Sequence, residues 1–109
     1  MSKVEHGFDL TDFGTRWAEV VSRLGLKYSG RHGDNAFAWI SDNGLNMVTA
    51  NNPETGEYGG GSKLRAPEKG YASYIGLEGR GDVVAHAVSV IKECAEYIKG
   101  ESVGEREFI

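Results

Sequence analysis

The strongest constraint on the fold is residues 71–99, where a strand-like segment leads into a long amphipathic segment. Asp82 is predicted to be the helix N-cap, because its carboxylate can accept hydrogen bonds from the first free backbone amides. Gly100 is predicted to end the helix. The apolar residues that follow Asp82 recur at three- and four-residue steps, which predicts one buried helix face. They are Val84, Ala87, Val88, Ile91, Cys94, Ala95 and Ile98. The helix is about 25 Å long, and its apolar face must pack against another element, which we expect to be a sheet.

A second helix is predicted over residues 10–24, with Asp9 or Thr11 as its N-cap. Its apolar residues also follow helical spacing and are Leu10, Phe13, Trp17, Val20, Val21 and Leu24. Gly25 is predicted to end this helix in the left-handed conformation, with Leu26 folding back on Val21.

The segment between the two helices changes to a period of two residues and is rich in Gly, Asn and Asp, which predicts a β-meander. Strands are predicted at residues 27–30, 36–40, 45–50 and 71–78, with a brief strand at 57–58. Asn43-Gly44 predicts a tight hairpin turn, because this pair accepts positive φ values. Residues 59–62 predict a mobile loop.

These elements predict one α+β domain spanning residues 1–109, with a mobile tail at 101–109. The predicted architecture is a two-layer sandwich, in which an antiparallel sheet of four to five strands carries both helices on one face. A chain of 109 residues can bury a sufficient core without disulfides or a metal. Its single cysteine, Cys94, lies on the apolar stripe and is interpreted as a buried small hydrophobe.

The charge and the terminal sequence limit the classes of partner. Twelve basic and sixteen acidic residues give a net charge of −4, which disfavours non-specific nucleic-acid binding and favours a protein partner. The N-terminus is polar and no apolar run approaches the ~18 residues of a membrane span. We therefore expect a cytoplasmic protein without membrane contact.

The strand at residues 36–40 is apolar on both faces. Ala36, Ala38 and Ile40 share one face, and Phe37 and Trp39 share the other. If the small residues lie under the helices, the two aromatic residues are exposed on the open face and mark a partner surface. The alternatives are that the tail or the glycine loop covers them, or that the aromatic face is the core.

No catalytic or metal-binding pattern is present in the sequence. His6, His32 and His86 are far apart and a single cysteine cannot form a thiolate cluster. No pair of carboxylates can be assigned as acid and base. Residues 59–63 lack the residue order of a P-loop. We expect a non-enzymatic protein without a cofactor.

Two further binding sites are considered. The glycines of residues 76–81 lie where a phosphate loop would sit, but their spacing reverses the dinucleotide pattern and Asp82 adds negative charge. A tight turn is the preferred interpretation, and a small nucleotide-binding protein or enzyme is the alternative. Lys63, Arg65, Lys69 and Arg80 are interleaved with Tyr71 and Tyr74, as in a single-strand platform. Glu68 and Glu78 reduce this positive charge, so direct nucleic-acid binding is not predicted.

Four features occur in order between residues 39 and 94. They are Trp-Ile-Ser-Asp-Asn-Gly at 39–44, Gly-Tyr at 70–71, Gly-Leu-Glu-Gly at 76–79, and a helix containing Ala85, Ala87 and Cys94. In these features the chain resembles small phage-encoded anti-CRISPR proteins, which are acidic single domains of similar length. The resemblance implies stoichiometric binding to a CRISPR effector complex that blocks access of DNA, and it assigns no residue a role.

We therefore expect an inhibitor from a phage or mobile element that binds a host CRISPR-Cas or other defence complex in the host cytoplasm. The predicted contact surface combines the open sheet face with the adjacent hairpin loops. Its residues are Phe37, Trp39, Asp42, Glu54, Glu57, Tyr58 and Tyr74.

Overall fold

The computed structural model describes residues 3–10, 12–59 and 67–98. Its elements, in order, are β1 (Lys3–Asp9), β2 (Phe13–Arg16), α1 (Trp17–Leu24), β3 (Lys27–His32), β4 (Ala36–Ile40), β5 (Asn46–Thr49), β6 (Asn51–Asn52), β7 (Glu57–Tyr58), β8 (Tyr71–Ala72), β9 (Tyr74–Arg80), α2 (Gly81–Cys94) and β10 (Ala95–Tyr97). The predicted combination of antiparallel strands with two helices is confirmed. The predictions for residues 60–66 and 99–109, including the mobile tail, Lys63, Arg65 and Gly100, fall outside the described residues.

The largest sheet has five strands in the order β1-β9-β5-β4-β3, and each neighbouring pair is antiparallel. Local hairpins join β3 to β4 and β4 to β5. The second hairpin turns at the predicted position, but only Gly44 of the Asn43-Gly44 pair has a positive φ, of 92°, so the predicted primed turn is wrong. Pairing between β5 and β9, and between β9 and β1, brings together distant parts of the chain. The outer strand β3 has a bulge between Tyr28 and Gly30.

The prediction for the N-terminal region is wrong in its first half. The helix begins at Trp17, and the two segments before it are strands. β2 pairs with β10 on one side and β8 on the other, and Gly14 lies so close to Tyr71 that a Cβ there would come within 2.6 Å of the Tyr71 ring. The helix end is as predicted, because Gly25 has a φ of 66° and the amides of Gly25 and Leu26 donate to the Val21 carbonyl at 2.8 and 3.3 Å.

The predicted N-cap of the second helix is also wrong. Within residues 74–94, all of which are described, β9 passes into α2 without an intervening loop, so Arg80 takes the N-cap position and Asp82 lies in the first turn. Arg80 Nη2 donates to Asp82 Oδ2 at 3.0 Å, and this hydrogen bond lowers the pKa of the Asp82 carboxyl group. The helix ends at Cys94, earlier than predicted, because Ala95–Tyr97 pairs with β2.

The predicted strand at 71–78 is divided at Ser73 between two sheets. Tyr71–Ala72 pairs with β2, whereas Tyr74–Arg80 joins the five-stranded sheet. The buried side chain of Asn51 stabilises the chain at this point. Its Oδ1 accepts hydrogen bonds from the Ser73 amide at 2.8 Å and the Ser73 hydroxyl at 2.9 Å. Its Nδ2 donates to the Tyr71 carbonyl at 3.0 Å.

The aromatic face of β4 forms part of the core. Phe37 and Trp39 are each 1% exposed, so the prediction that they lie on an open surface is wrong, and the alternative that they belong to the core is confirmed. The indole of Trp39 lies 4.6 Å from that of Trp17, and its Nε1 donates to Thr49 Oγ1 at 2.9 Å. The physical reason is size, because aromatic rings remove far more apolar area from water than Ala36 and Ala38 would.

Candidate functional site

A row of small residues crosses the five-stranded sheet on the face opposite the core. The strand register places Gly7 beside Gly76, Gly76 beside Val48, Val48 beside Ala38, and Ala38 beside Gly30. Because side chains alternate along a strand, all five lie on the same face. We call these five residues the floor, and the depression that they form across the strands the trough.

Larger residues flank the floor along one side, and on the other side they flank it only towards the two edges of the sheet. One flanking row follows the register from β1 to β3 and consists of Glu5, Glu78, Asn46, Ile40 and Lys27. On the other side, Asp9 pairs with Tyr74 and Ala36 pairs with His32. Ile40 and Tyr74 are 43% and 41% exposed. The trough therefore offers apolar contact area next to a flat floor.

The ring of Tyr74 lies across the two glycines at the β1 end of the floor. A Cβ atom on Gly7 would come within 2.7 Å of the Tyr74 hydroxyl, and one on Gly76 within 3.2 Å of it. Glycine at both positions is what lets the ring lie flat on the sheet. Beside this ring the trough has an open depression of about 500 Å³, lined by Tyr74, Val48, His32, Glu5 and Glu78 among others. This volume is within the range of small-molecule sites.

The trough carries opposite charges at its two ends. Glu5 and Glu78 are direct partners on adjacent strands, an arrangement in which like charges repel. Lys3 Nζ lies 3.6 Å from Glu78 and offsets part of this repulsion. Lys27, on β3 at the opposite edge of the sheet, is exposed. A partner that places a cation over Glu5 and Glu78 would relieve the repulsion between them.

The predicted contact residues that remain exposed or half-buried are not brought together. Tyr74 lies in the trough, whereas Asp42 lies in the β4–β5 turn. Glu54, Glu57 and Tyr58 lie around the β6–β7 hairpin, at the opposite end of β4 and β5. Two of these carboxylates contact other elements of the fold. Glu54 accepts a hydrogen bond from Trp17 Nε1 at 3.4 Å, and Glu57 forms an ion pair with Arg31 of β3 at 3.4 Å.

The sequence patterns predict four of the floor residues as members of strands and do not indicate that the five align. Gly30, Val48 and Ala38 are unremarkable in sequence, and Gly7 was outside any predicted element. Their alignment depends on the register between strands that are distant in the chain. The alternation of side chains along the strand groups Ala36, Ala38 and Ile40 on one face. It does not show whether that face is the open one.

Ion pairs away from the trough link β2 to α1 and to β10, and α1 to α2. Arg16 contacts Glu19 at 3.1 Å and Glu96 at 2.9 Å, and Arg23 contacts Glu93 at 2.8 Å. These side chains are about 40% exposed or more, so each pair contributes little to stability. Because the carboxylates are held by arginines, we assign this network a structural role.

Nucleophilic and metal chemistry have little support in the described ranges. Cys94 is fully buried, as predicted, and burial raises the pKa of its thiol, which keeps it protonated and weakly nucleophilic at neutral pH. Among residues 3–10, 12–59 and 67–98, no three His, Cys, Asp or Glu side chains are grouped to hold a metal ion.

The trough is one of the exposed surfaces of the described part of the chain; Tyr28 and Tyr97, at 47% and 48% exposed, lie outside it. Neither of the helices in that part is long and apolar enough to cross a membrane. Comparison of the chain with protein-family models, curated proteins and solved structures finds no match.

Proposed function

We propose that this protein acts by binding another protein through the trough, without catalysing a reaction. The observation that carries the proposal is the row of five small residues across an open sheet face, flanked by the exposed side chains of Ile40 and Tyr74. Small residues let a partner approach the sheet closely. Exposed aromatic and aliphatic side chains are enriched where proteins meet.

The proposal includes a two-layer arrangement in which both helices cover the aromatic face of the sheet. This arrangement is supported by the core, because Trp17 of α1 and Val84 and Ile91 of α2 are buried in the same cluster as Phe37 and Trp39. With the helices on that side, the trough is left for the partner.

The proposed partner is a CRISPR effector complex or another host defence complex, as the anti-CRISPR resemblance implies. Such complexes bind nucleic acid through basic surfaces, and an acidic protein is attracted to a basic surface. The net charge of −4 and the paired carboxylates Glu5 and Glu78 fit that partner. The same carboxylates repel a nucleic-acid backbone.

Replacing Ala38 by arginine tests the trough directly. Ala38 is half-buried in the floor, so a long cationic side chain there would fill the trough without entering the core. We expect Ala38→Arg to weaken capture of the partner by about tenfold or more. The measurement is pull-down of purified CRISPR effector complexes of several types by the tagged protein, together with inhibition of their DNA cleavage.

The matched control is Ala85→Arg, which makes the same change at an exposed position of α2. It should leave capture and inhibition unchanged, and circular dichroism should show both variants folded. Equal capture by the two variants would show that the trough is not the binding surface. Failure of the wild-type protein to bind or inhibit any of the complexes would count against a CRISPR effector as the partner.

The volume beside Tyr74 supports a second candidate, a small nucleotide-binding protein. The strand-to-helix turn expected at residues 76–81 for that function is absent, because Tyr74–Arg80 is a strand that leads directly into α2. Against it, Arg80 is engaged by Asp82 and the carboxylates of Glu5 and Glu78 repel phosphate groups. We expect no rise in melting temperature when ATP, GTP or NAD is added at millimolar concentration. A rise that is lost in Arg80→Ala would favour the nucleotide-binding function instead.

A further inference from the structure

The troughs of two copies of this chain are complementary in shape and charge when the copies are related by one particular two-fold axis. β5 is the central strand, with β9 and β1 on one side and β4 and β3 on the other. When a second copy is placed face to face by a two-fold rotation about an axis parallel to β5, its β3 lies over β1 and its β4 lies over β9. Two sheets packed in this way keep their strands roughly aligned, as in a β-sandwich.

The floor residues match in size across this contact. Gly30 of one copy would lie over Gly7 of the other, Ala38 over Gly76, and Val48 over Val48 near the axis. No large side chain of the floor opposes another, so the sheets can approach closely. The same rotation places Ile40 of one copy over Glu78 of the other, and Tyr74 over Ala36.

The charges match as well. Glu5 and Lys27 occupy the same flanking row at opposite edges of the sheet, so the rotation brings Lys27 of each copy over Glu5 of the other. The flexible lysine stem tolerates the twist between the two sheets. Its ammonium group would also lie near Glu78 and relieve the repulsion between the two paired carboxylates.

We infer that a second copy of this chain occupies the trough in this two-fold arrangement, and that self-association shields the trough until the partner displaces it. The inference deepens the proposed function and rests on it for the role of the shielding. The contact spans about 19 Å by 14 Å between its outermost Cα positions, from the spacing of strands and residues. The outermost Cα positions outline only about 270 Å² on each copy. This is below the size of stable protein interfaces, so the dimer should be weak and concentration-dependent.

A charge exchange tests the arrangement. Lys27→Glu places two carboxylates together at both ends of the contact, and Glu5→Lys places two ammonium groups together, so each variant alone should be monomeric. Mixing the two variants restores an opposite-charge pair at both ends. We expect sedimentation velocity from low micromolar to millimolar concentration to show a wild-type dimer, at least about tenfold weaker association of each variant, and a heterodimer in the mixture.

The control is Lys69→Glu, which makes the same change at an exposed position outside the trough and should associate like the wild type. Recovery in the mixture shows that both variants are folded. A wild-type protein that is monomeric at millimolar concentration, or a mixture that stays monomeric, would overturn the inference. The proposed function has a separate readout, because pull-down at sub-micromolar concentration, where the protein is monomeric, measures partner capture whether or not the dimer forms.

Discussion

Replacing Trp39 by alanine is expected to lower the free energy of unfolding by about 3–5 kcal/mol. Trp39 is 1% exposed, its ring packs against Trp17, and its Nε1 donates to Thr49. The substitution leaves a cavity between the sheet and α1 and removes the hydrogen bond. Since a domain of this size has only about 5–15 kcal/mol of stability, a large share of it would be lost.

Urea unfolding followed by circular dichroism measures the change. Ile40→Ala is the matched control, because it lies on the same strand with its side chain 43% exposed on the opposite face, and it should cost about 1 kcal/mol or less. If Trp39→Ala left stability intact and weakened partner binding, the two faces of β4 would have the reverse assignment.

The second large effect is expected at Asn51, where alanine should lower the free energy of unfolding by about 2–4 kcal/mol. The Asn51 carboxamide is buried and holds the Ser73 amide, the Ser73 hydroxyl and the Tyr71 carbonyl. Alanine leaves these groups without that partner at the point where the chain passes from one sheet to the other. Their desolvation cost is then no longer offset.

The same unfolding measurement tests this prediction, and amide hydrogen exchange locates the effect. Protection at Ser73 should fall more than protection at the centre of β5, since the loss is local to the junction between β8 and β9. Asn46→Ala, at an exposed asparagine on β5, is the control and should change stability by about 0.5 kcal/mol or less. Equal stability of the two variants would mean that the Asn51 network contributes little.

The meander was predictable from sequence because its signals are local. Ala36–Ile40 alternates between small and large residues, Asn43-Gly44 specifies the position of the turn, and Gly25 ends the first helix. Each of these depends on residues within a few positions of one another. Their agreement with the structure follows from turn and capping chemistry that needs no tertiary context.

The N-terminal strands could not be predicted in this way. In β1 only Phe8 is buried, so its sequence lacks the alternation of apolar and polar residues that predicts a strand. In β2 the spacing of Leu10, Phe13 and Trp17 fits a helix, yet pairing with β8 and β10 is decided by residues more than fifty positions away. Tertiary pairing overrode the local pattern in both cases.

The candidate site was predictable only in part for the same reason. The alternation of side chains along the strand places Ala36, Ala38 and Ile40 on one face. It does not show which face is open, because that depends on the larger apolar area of Phe37 and Trp39 on the other face. Tyr74 was placed correctly on the exposed surface. The rest of the trough depends on the register of Gly7 and Gly76, which are 69 positions apart in the chain and become neighbours only through β1–β9 pairing.

The two outermost strands of the five-stranded sheet bear on how the chain behaves when it is concentrated. Among the described strands, β1 and β3 each have one backbone edge without a neighbour, and such an edge can template a further strand from another molecule, which is the route to fibrils. β3 is bent by its bulge and carries Lys27, Arg31 and His32, while β1 carries Lys3, Glu5 and Asp9. Irregular and highly charged borders of this kind resist strand addition, so this protein should tolerate high concentration without forming amyloid.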